Sequence, residues 1–483
     1  MNQTSKTTSG RIFRPELRQT GLFQMPSDRL LLRGRLLTFT AEPQTPDDTS
    51  AFQYIEDGAL LIENGLILRR GSYCDVVGEA GDAEIIDHRP KLLMAGFIDT
   101  HIHFPQVQIV ASRGAQLLDW LNTYTFPEET RFADEGHAAA MACRFFDLLT
   151  DHGTTTAVAY CSVHKASAEA YFEEAEQRNM RMIGGKVLMD RNAPDGLRDT
   201  PKSGYDDTKD LIGKWHGRGR ASYAITPRFA ITSTPDQMEM AGALVAEHPD
   251  CFIQTHLSEN RNEIAYTLEL YPEARDYLDV YQRYGLLSDK MLLGHSIHLQ
   301  QREIDALAET GARPVFCPTS NLFLGSGLFD DAGLRSKGIV NAIATDIGAG
   351  TSYSMLQTLN EGYKILQLQD QKLHPFRAFH WITRGNAVAL GLEDRIGTLD
   401  EGTEADIVVL DSCATEAMAL RMERASTLAE ELFVLQMLGD DRAIDEVYVA
   451  GKAQKGKAPA VTRPGRTPER KTPTVRERDL VLS

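Results

Sequence analysis

Four apolar runs that each end in histidine or aspartate constrain the fold of this chain more than any other feature. The first run ends in His101 and His103, and the i, i+2 spacing places both imidazoles on one face of a β-strand. The later runs end in His256, His295 and Asp346. A lone H-x-H pair is also typical of hydrogen-bonded histidines, but a series of strand ends that supplies imidazole and carboxylate groups is typical of zinc sites. The pattern therefore predicts a metal site.

Strand-like and helical segments alternate between these runs. Helical spacing over residues 135–150 is followed by the apolar stretch 154–159, and helical spacing over 234–247 leads into the run that ends in His256. Repeated β-α units predict the α/β class and a TIM-like (β/α)8 barrel, with the candidate ligands at the carboxyl ends of its strands. A Rossmann-like open sheet would alternate in the same way, but the chain has no G-x-G-x-x-G that opens a helix and no phosphate-binding loop.

Short strands at both ends of the chain predict a second, smaller unit. Turn signals at Asp57-Gly58 and Asn64-Gly65 separate strand-like segments near the N-terminus, and segments 405–410 and 446–451 have the same character. We expect the two groups to pair into one small β-sandwich. The predicted domains are an N-terminal arm with the first part of the sandwich (1–93), the barrel (94–395), the second part of the sandwich (396–452) and a basic, disordered tail (453–483).

Composition and charge exclude several classes of function. A net charge of -17 argues against a nucleic-acid partner, because phosphate binding requires a basic surface. The basic tail could touch RNA or an acidic neighbour, although most such tails are simply solvated. No apolar run approaches the ~20 residues that span a bilayer, so no integral membrane protein is expected. The polar N-terminus lacks a signal-peptide core and the six cysteines are scattered, which predicts free thiols in the cytoplasm.

The residues that end the apolar runs also form a family pattern. The H-x-H pair is followed by His256-Leu257-Ser258-Glu259, Gly294-His295-Ser296 and Thr345-Asp346. In this order the segments resemble the amidohydrolase superfamily of metal-dependent hydrolases, over about residues 57–452. The resemblance implies a barrel that carries the active site and a sandwich built from both ends of the chain.

The resemblance also implies the metal ligands, which are His101, His103, His256 and Asp346. We expect one zinc ion per subunit, with iron as the alternative. Binuclear members of the superfamily carry a carboxylated lysine at the end of strand four, and the corresponding segment 221–226 contains no lysine. Because family members are often dimers, a homodimer is expected.

Three residues are candidates for catalysis. By resemblance, Glu259 moves a proton from the activated water to the substrate ring and leaving group, and Asp346 both binds the metal and accepts a proton. Glu259 would also fit an ordinary helix start favoured by the helix dipole. His295 is expected to act as a base and electrostatic aid that contacts the substrate, with a further metal ligand as the alternative role.

Three further residues indicate the substrate. Gln106 offers a donor and an acceptor, Arg228 offers only donors, and Phe229 offers an apolar face and a backbone N–H. Together the H-x-H-x-P-Q and P-R-F segments resemble the guanine deaminases. A donor-only arginine pairs with a purine carbonyl and leaves the amine of adenine unsatisfied. The resemblance therefore implies hydrolysis of guanine to xanthine and ammonia, a step of purine catabolism. A surface salt bridge is the alternative role of Arg228.

Other interpretations compete with this one. A deaminase or chlorohydrolase that acts on a different N-heterocycle would need polar anchors other than Gln106 and Arg228. A non-catalytic barrel relative used for binding or assembly would be expected to lack metal ligands. The small cytidine-type deaminases carry P-C-x-x-C, whereas this chain has Cys317-Pro318 without a second cysteine, which excludes that class. Ser320 and Asn321 are expected to line the pocket.

Overall fold

The computed structural model describes residue 1 and residues 29–46, 48–114 and 116–455. Most of the predicted N-terminal arm and of the predicted basic tail lies outside the described residues. Two sheets organise the described part of the chain, one of nine strands and one of seven. The strands are β1 (Arg29–Phe39), β2 (Phe52–Glu63), β3 (Leu66–Ser72), β4 (Glu84–Ala95), β5 (Phe97–His103), β6 (Thr154–Tyr160), β7 (Arg181–Gly185), β8 (Val187–Leu188), β9 (Ser222–Pro227), β10 (Phe252–Leu257), β11 (Met291–His295), β12 (Arg313–Phe316), β13 (Ala342–Ile343), β14 (Ile407–Leu410), β15 (Ile444–Val449) and β16 (Lys452–Ala453).

Helices separate the strands of the nine-stranded sheet, as the alternating pattern predicts, and three more lie between strands of the seven-stranded sheet. They are α1 (Tyr73–Val76), α2 (Leu117–Trp120), α3 (Phe126–Thr130), α4 (Glu135–Asp151), α5 (Lys165–Arg178), α6 (Pro201–Trp215), α7 (Pro235–Glu247), α8 (Arg261–Leu270), α9 (Tyr277–Arg283), α10 (Gln301–Thr310), α11 (Pro318–Phe323), α12 (Asp331–Arg335), α13 (Met355–Gln367), α14 (Pro375–His380), α15 (Asn386–Leu390), α16 (Glu416–Met422) and α17 (Leu428–Leu438). In the described part of the chain, none of them has the length and apolar character of a transmembrane helix.

The nine-stranded sheet forms a parallel barrel. Its strands follow the order β5-β6-β7-β9-β10-β11-β12-β13, and β8 also pairs with β9. Just beyond β13, the N–H of Asp346 donates to the carbonyl of His101 at 2.9 Å, and the N–H of His103 donates to the carbonyl of Ile347 at 2.6 Å. These two hydrogen bonds link the segment after β13 back to β5, the first strand of the barrel. The predicted (β/α)8 barrel is confirmed.

Helix α4 illustrates how the sequence forms the outer layer of the barrel. The Asp134 side chain accepts a hydrogen bond from the N–H of His137 and caps the helix N-terminus. Ala138, Phe145 and Leu149 recur at helical spacing and are fully buried. The helix therefore packs its apolar face on the barrel, and its observed bounds differ from the predicted 135–150 by one residue.

The seven-stranded sheet joins the two ends of the chain. Its order is β16-β15-β14-β4-β1-β2-β3, and β14 pairs with β4 in antiparallel register, with Val409 opposite Leu93. Leu36, Leu60 and Ile407 belong to the buried cluster on one face of this sheet. The predicted association of N-terminal and C-terminal strands is thus present, while the domain boundaries at residues 93 and 396 stay predictions.

The sheet is attached to the amino-terminal end of the barrel by buried and partly buried charges. Glu404, just before β14, accepts hydrogen bonds from Arg181 Nε at 2.8 Å and from Arg220 Nε at 2.9 Å. Arg220 Nη1 also donates to Asp406 at 3.1 Å. Because Arg181 begins β7 and Arg220 precedes β9, this cluster lies at the end of the barrel opposite the candidate ligands.

Candidate active site

Five side chains converge at the carboxyl end of the barrel. His101 and His103 lie in β5, His256 lies in β10, His295 ends β11, and Asp346 follows β13. The side chains are buried except that of His256, which is partly exposed. The structure therefore brings the four predicted ligands and His295 together, because parallel strands deliver their carboxyl ends to the same rim.

The distances between these side chains fit a small cation. Asp346 Oδ1 lies 3.4 Å from His101 Nε2 and 3.3 Å from His103 Nε2. His103 Nε2 lies 3.2 Å from His256 Nε2. Ligand atoms held tetrahedrally at about 2.1 Å from a zinc ion stand about 3.4 Å apart. The donor set and its spacing match such an ion.

Unpartnered nitrogen atoms point to the same conclusion. Among the described residues, both ring nitrogens of His101 and Nδ1 of His103 are buried without a hydrogen-bond partner. His256 Nδ1 donates to the carbonyl of Arg228 at 2.7 Å, which leaves an unprotonated Nε2 facing the other ligands. Burial lowers the pKa of His103 to about 3, and burial also holds the pKa of His256 well below its ordinary value. The imidazoles are therefore neutral, as metal coordination requires.

The backbone is strained at the strand ends that carry two of these side chains. His295 has a φ of 68° and Asp346 has a φ of 54°, both in the left-handed region that non-glycine residues rarely adopt. Burial acts to raise the pKa of Asp346, but its contacts with His101 and His103 hold that pKa well below its ordinary value. Asp346 is therefore ionised and can bind a cation.

Glu259 lies beside the ligand cluster, and its protonation state differs from that of Asp346. Its Oε2 is 3.4 Å from His295 Nε2, and its Oε1 accepts a hydrogen bond from the Ser326 hydroxyl at 2.7 Å. Burial and the charge of Asp346 raise the pKa of Glu259 to about 8. At neutral pH this carboxyl group holds a proton that it can donate.

Ser326 was missed by sequence reasoning. Leu324-Gly325-Ser326-Gly327 is recognisable as a turn, but nothing in it indicates a contact with a residue 67 positions away. The turn is held in place by His298, whose Nε2 donates to the Ser326 carbonyl at 2.8 Å. That contact gives His298 a structural role in the wall of the site.

A cavity opens next to the cluster, with about 390 Å³ of space that includes the open solvent at its mouth. Gln106, Arg228 and Phe229 line it together with Glu259 and His295, so the predicted substrate residues face the predicted catalytic ones. No sequence pattern indicated its apolar wall, which consists of Leu117, Trp120, Leu121, Leu324 and Ala349.

Glu129 connects two of the predicted substrate residues and was also missed. It lies in α3 and is fully buried. Its carboxylate accepts a hydrogen bond from Gln106 Nε2 at 2.8 Å and contacts Arg228 Nη1 at 2.8 and 2.7 Å. In the sequence Glu129 follows Glu128 in a helical segment, and no local signal separates the two residues.

Three residues near the site do not behave as catalytic groups. Ser320 and Asn321 lie in α11 and are buried, but they are not among the residues that line the cavity, contrary to expectation. Cys317 Sγ lies within 4.8 Å of ligand atoms of His101 and Asp346. Burial holds the pKa of the Cys317 thiol well above its ordinary value, which disfavours the thiolate that binds metals.

Comparisons with known proteins find similarity along most of the chain. The profile of the Amidohydrolase family matches residues 92–453. A guanine deaminase from Escherichia coli K12 is 48% identical over 423 residues, which cover 87% of this chain and 96% of that protein. A guanine deaminase from Mus musculus is 32% identical over 376 residues, which cover 75% of this chain and 82% of that protein.

Solved structures share the architecture. A structure of E. coli guanine deaminase matches with a TM-score of 0.87 at 47% identity and covers 89% of this chain and 100% of its own. A structure of guanine deaminase from C. acetobutylicum, with guanine bound in the active site, matches with a TM-score of 0.79 at 29% identity. That match covers 88% of this chain and 99% of the other.

Proposed function

The chain belongs to the amidohydrolase family, and from this membership we propose that it is a guanine deaminase, which hydrolyses guanine to xanthine and ammonia. The observation that carries the proposal is one cavity in which three of the candidate metal ligands, the buried Glu259 and the donor-only Arg228 meet. Relatives named guanine deaminase, at 48% and 32% identity, support the same substrate.

The proposed metal site consists of His101, His103, His256 and Asp346. Three neutral imidazoles and one carboxylate suit zinc, and iron is the alternative because it takes the same ligands. When bound, the metal supplies Lewis acidity and a nucleophilic water at neutral pH. We propose one metal per subunit, since segment 221–226 has no lysine to bridge a second ion.

Glu259 and Asp346 divide the proton transfers. The reaction adds water to the ring carbon that carries the exocyclic amine and breaks the bond from that carbon to the amine. Asp346 is ionised and accepts a proton from the attacking water. Glu259 holds a proton at neutral pH and donates it to the ring. The carboxylate so formed takes the second proton of the water from the added hydroxyl group and gives it to the departing amine, which leaves as ammonia. The proton held by Asp346 then returns to Glu259, so that both carboxyl groups regain their starting states.

His295 has the position of an electrostatic aid. Its Nε2 lies 3.4 Å from Glu259 Oε2 and 3.8 Å from Asp346 Oδ2, so it stands between the two carboxyl groups. An imidazole there favours the negative charge of Asp346 and can act as a base. We propose that His295 acts in this way and contacts the substrate.

Recognition of the purine involves three side chains. Arg228 can donate to the six-position carbonyl of guanine, which adenine lacks. Gln106 can pair with another edge of the ring, and Phe229 supplies an apolar surface. A buried site that pairs with one hydrogen-bonding pattern discriminates against the wrong pattern by about 10⁴–10⁵.

The proposal is tested by measuring ammonia release from guanine, adenine, cytosine and azaguanine, with metal content measured in parallel. We expect turnover of guanine that a strong chelator abolishes and added zinc restores. Turnover of a different ring would identify another deaminase of the family. A protein that holds metal and turns over none of these rings would favour a binding role.

Four finer assignments extend this proposal. The family and the ligand chemistry support zinc as the native metal. The free thiols of all six cysteines suit the reducing cytoplasm. We also propose that the protein is a homodimer and acts in purine catabolism. Measurement of its mass in solution tests the dimer.

A further inference from the structure

We propose that Glu129 is a positioning residue that sets substrate specificity by holding Arg228 and Gln106 in one fixed arrangement. This inference rests on the proposed function, since it concerns how the same cavity recognises a purine. Glu129 does not line the cavity, whereas Arg228 and Gln106 do. It therefore acts through those two side chains.

Hydrogen bonds fix the orientation of the Glu129 carboxylate. Oε1 accepts hydrogen bonds from Gln106 Nε2 at 2.8 Å and from Arg228 Nη1 at 2.8 Å, while Oε2 lies 2.7 Å from the same Nη1. The carbonyl of Glu129 accepts a hydrogen bond from the Ser162 hydroxyl at 2.9 Å. Both the backbone and the side chain are anchored within a fully buried environment.

Glu129 determines which end of the Gln106 amide faces which partner. A carboxylate accepts but cannot donate, so the group beside it must be the NH₂ of Gln106. The other end of the amide, Oε1, accepts from the N–H of Gly348 at 3.0 Å. One Nε2 hydrogen and one Oε1 lone pair remain for a ligand. The amide therefore presents a defined donor and a defined acceptor to the substrate.

Glu129 has a parallel effect on Arg228. Among the described residues, Nη1 is the guanidinium nitrogen that hydrogen-bonds to protein, which leaves the donors on Nη2 and Nε for a ligand. The guanidinium carbon also lies 5.7 Å from the centre of the Phe126 ring, which is in the same short helix as Glu129. One helix thus orients Arg228 from two sides.

The charge of Glu129 indicates the class of substrate. An unpaired buried arginine would attract an anionic ligand, because bringing a lone cation into the protein interior is unfavourable. With Glu129 beside it, Arg228 keeps its donors while its charge is neutralised. The pair therefore suits an uncharged ring that carries a carbonyl, such as guanine, rather than a carboxylate or another anion.

The test is a double-mutant cycle on the metal-loaded, full-length protein. The variants are Glu129→Gln, Arg228→Ala and the two combined, and kcat and KM are measured for guanine and for 2-aminopurine. The second compound carries the amine but lacks the six-position carbonyl. Glu128→Gln is the matched control, because Glu128 lies in the same helix and contacts Arg131 instead.

We expect Glu129→Gln to lower kcat/KM for guanine by about 10–100-fold, the scale seen when an orienting partner is removed. The loss should appear mainly in KM, and 2-aminopurine should be affected far less, so that the preference for guanine falls. Combined with Arg228→Ala, the change at Glu129 should cost less than it does alone, because only its effect on Gln106 remains. Glu128→Gln should leave both substrates unaffected.

Losses that multiply in the combined variant, or a guanine preference within about twofold of the original, would overturn the role of Glu129. Metal content and thermal unfolding show whether each variant is folded. If Glu129→Gln does not fold, Glu129→Asp keeps the charge but shortens the reach, and an unchanged preference in that variant would overturn the inference. Failure of the unaltered protein to turn over guanine would overturn the proposed function itself, and the specificity role with it.

Discussion

The two ends of the barrel both bury charged side chains, but they compensate the charge differently. At the amino-terminal end Glu404 lies between Arg181 and Arg220, and although burial acts to raise its pKa, these arginines lower it. At the carboxyl-terminal end, Glu259 lies beside the ionised Asp346, and burial raises its pKa to about 8. The same chemical group is therefore ionised at one end of the barrel and protonated at the other.

This difference separates the part of the barrel that stabilises the fold from the part suited to chemistry. Buried charges that are paired, as around Arg220, hold the second sheet in place. At the other end, unpartnered imidazoles, crowded carboxyl groups and left-handed backbone at His295 and Asp346 persist only because the surrounding structure enforces them. Groups arranged in this way are available to bind a cation and to move protons.

Among the variants that test this difference between the two ends of the barrel, Glu259→Gln should show the largest effect. Removal of the proton donor should lower kcat by about 10²–10⁴-fold, the usual contribution of general acid–base catalysis. Metal content should stay the same, because the ligands are other residues. Stopped-time ammonia assays together with metal analysis check this, and retention of most activity would contradict the proton-transfer role.

The second prediction concerns the opposite end of the barrel. Arg220→Ala leaves Asp406 without its arginine partner and should lower the free energy of unfolding by about 3–5 kcal/mol, while kcat on guanine stays unchanged. Urea unfolding and kinetics measure the two quantities. Arg218→Ala is the control, since Arg218 pairs with Glu176 at the surface and should contribute far less. A loss of kcat without a loss of stability would contradict the comparison.

The sequence predicts one of these ends much better than the other. His101, His103, His256 and Asp346 each close an apolar run, so strand periodicity and parallel topology suffice to place them on the same rim. Strand pattern and the family resemblance together therefore predict the barrel and the candidate ligands on its rim.

The remaining parts of the site depend on contacts that no local pattern records. Glu129 meets Arg228 across 99 positions, and Glu404 meets Arg181 across 223 positions. The partner of each is decided only by how distant segments pack. For the same reason Ser320 and Asn321, which follow a barrel strand as the predicted ligands do, are not among the residues that line the cavity.

The third prediction uses the opposite pKa shifts at the two ends. Glu259 binds its proton more tightly in the folded chain, with a pKa of about 8 against an ordinary value of 4.5. Its contribution to stability is therefore fully present below the ordinary value and is lost as the pH rises through 8. Glu404 has a lowered pKa, so its contribution is present at neutral pH and is lost on acidification.

Urea unfolding of the chelated protein between about pH 5 and about pH 9 measures the first of these trends. We expect stability to fall across that range, and the fall should be smaller in Glu259→Gln, which has no titrating group at this position. Parallel curves for the two proteins would show that Glu259 titrates normally and that the two ends of the barrel do not differ in this respect.

The smallest expected effect comes from Ser326→Ala. The Ser326 hydroxyl donates to Glu259 at 2.7 Å and lowers the pKa of that carboxyl group, against the larger effect of burial. A hydrogen bond of this kind is worth about 0.5–1.5 kcal/mol, which corresponds to a shift of about one pH unit or less. The alkaline limb of the kcat profile should therefore move to higher pH while metal content stays constant. If the limb stays in place, Ser326 does not tune the proton donor, and burial alone accounts for the contrast between Glu259 and Glu404.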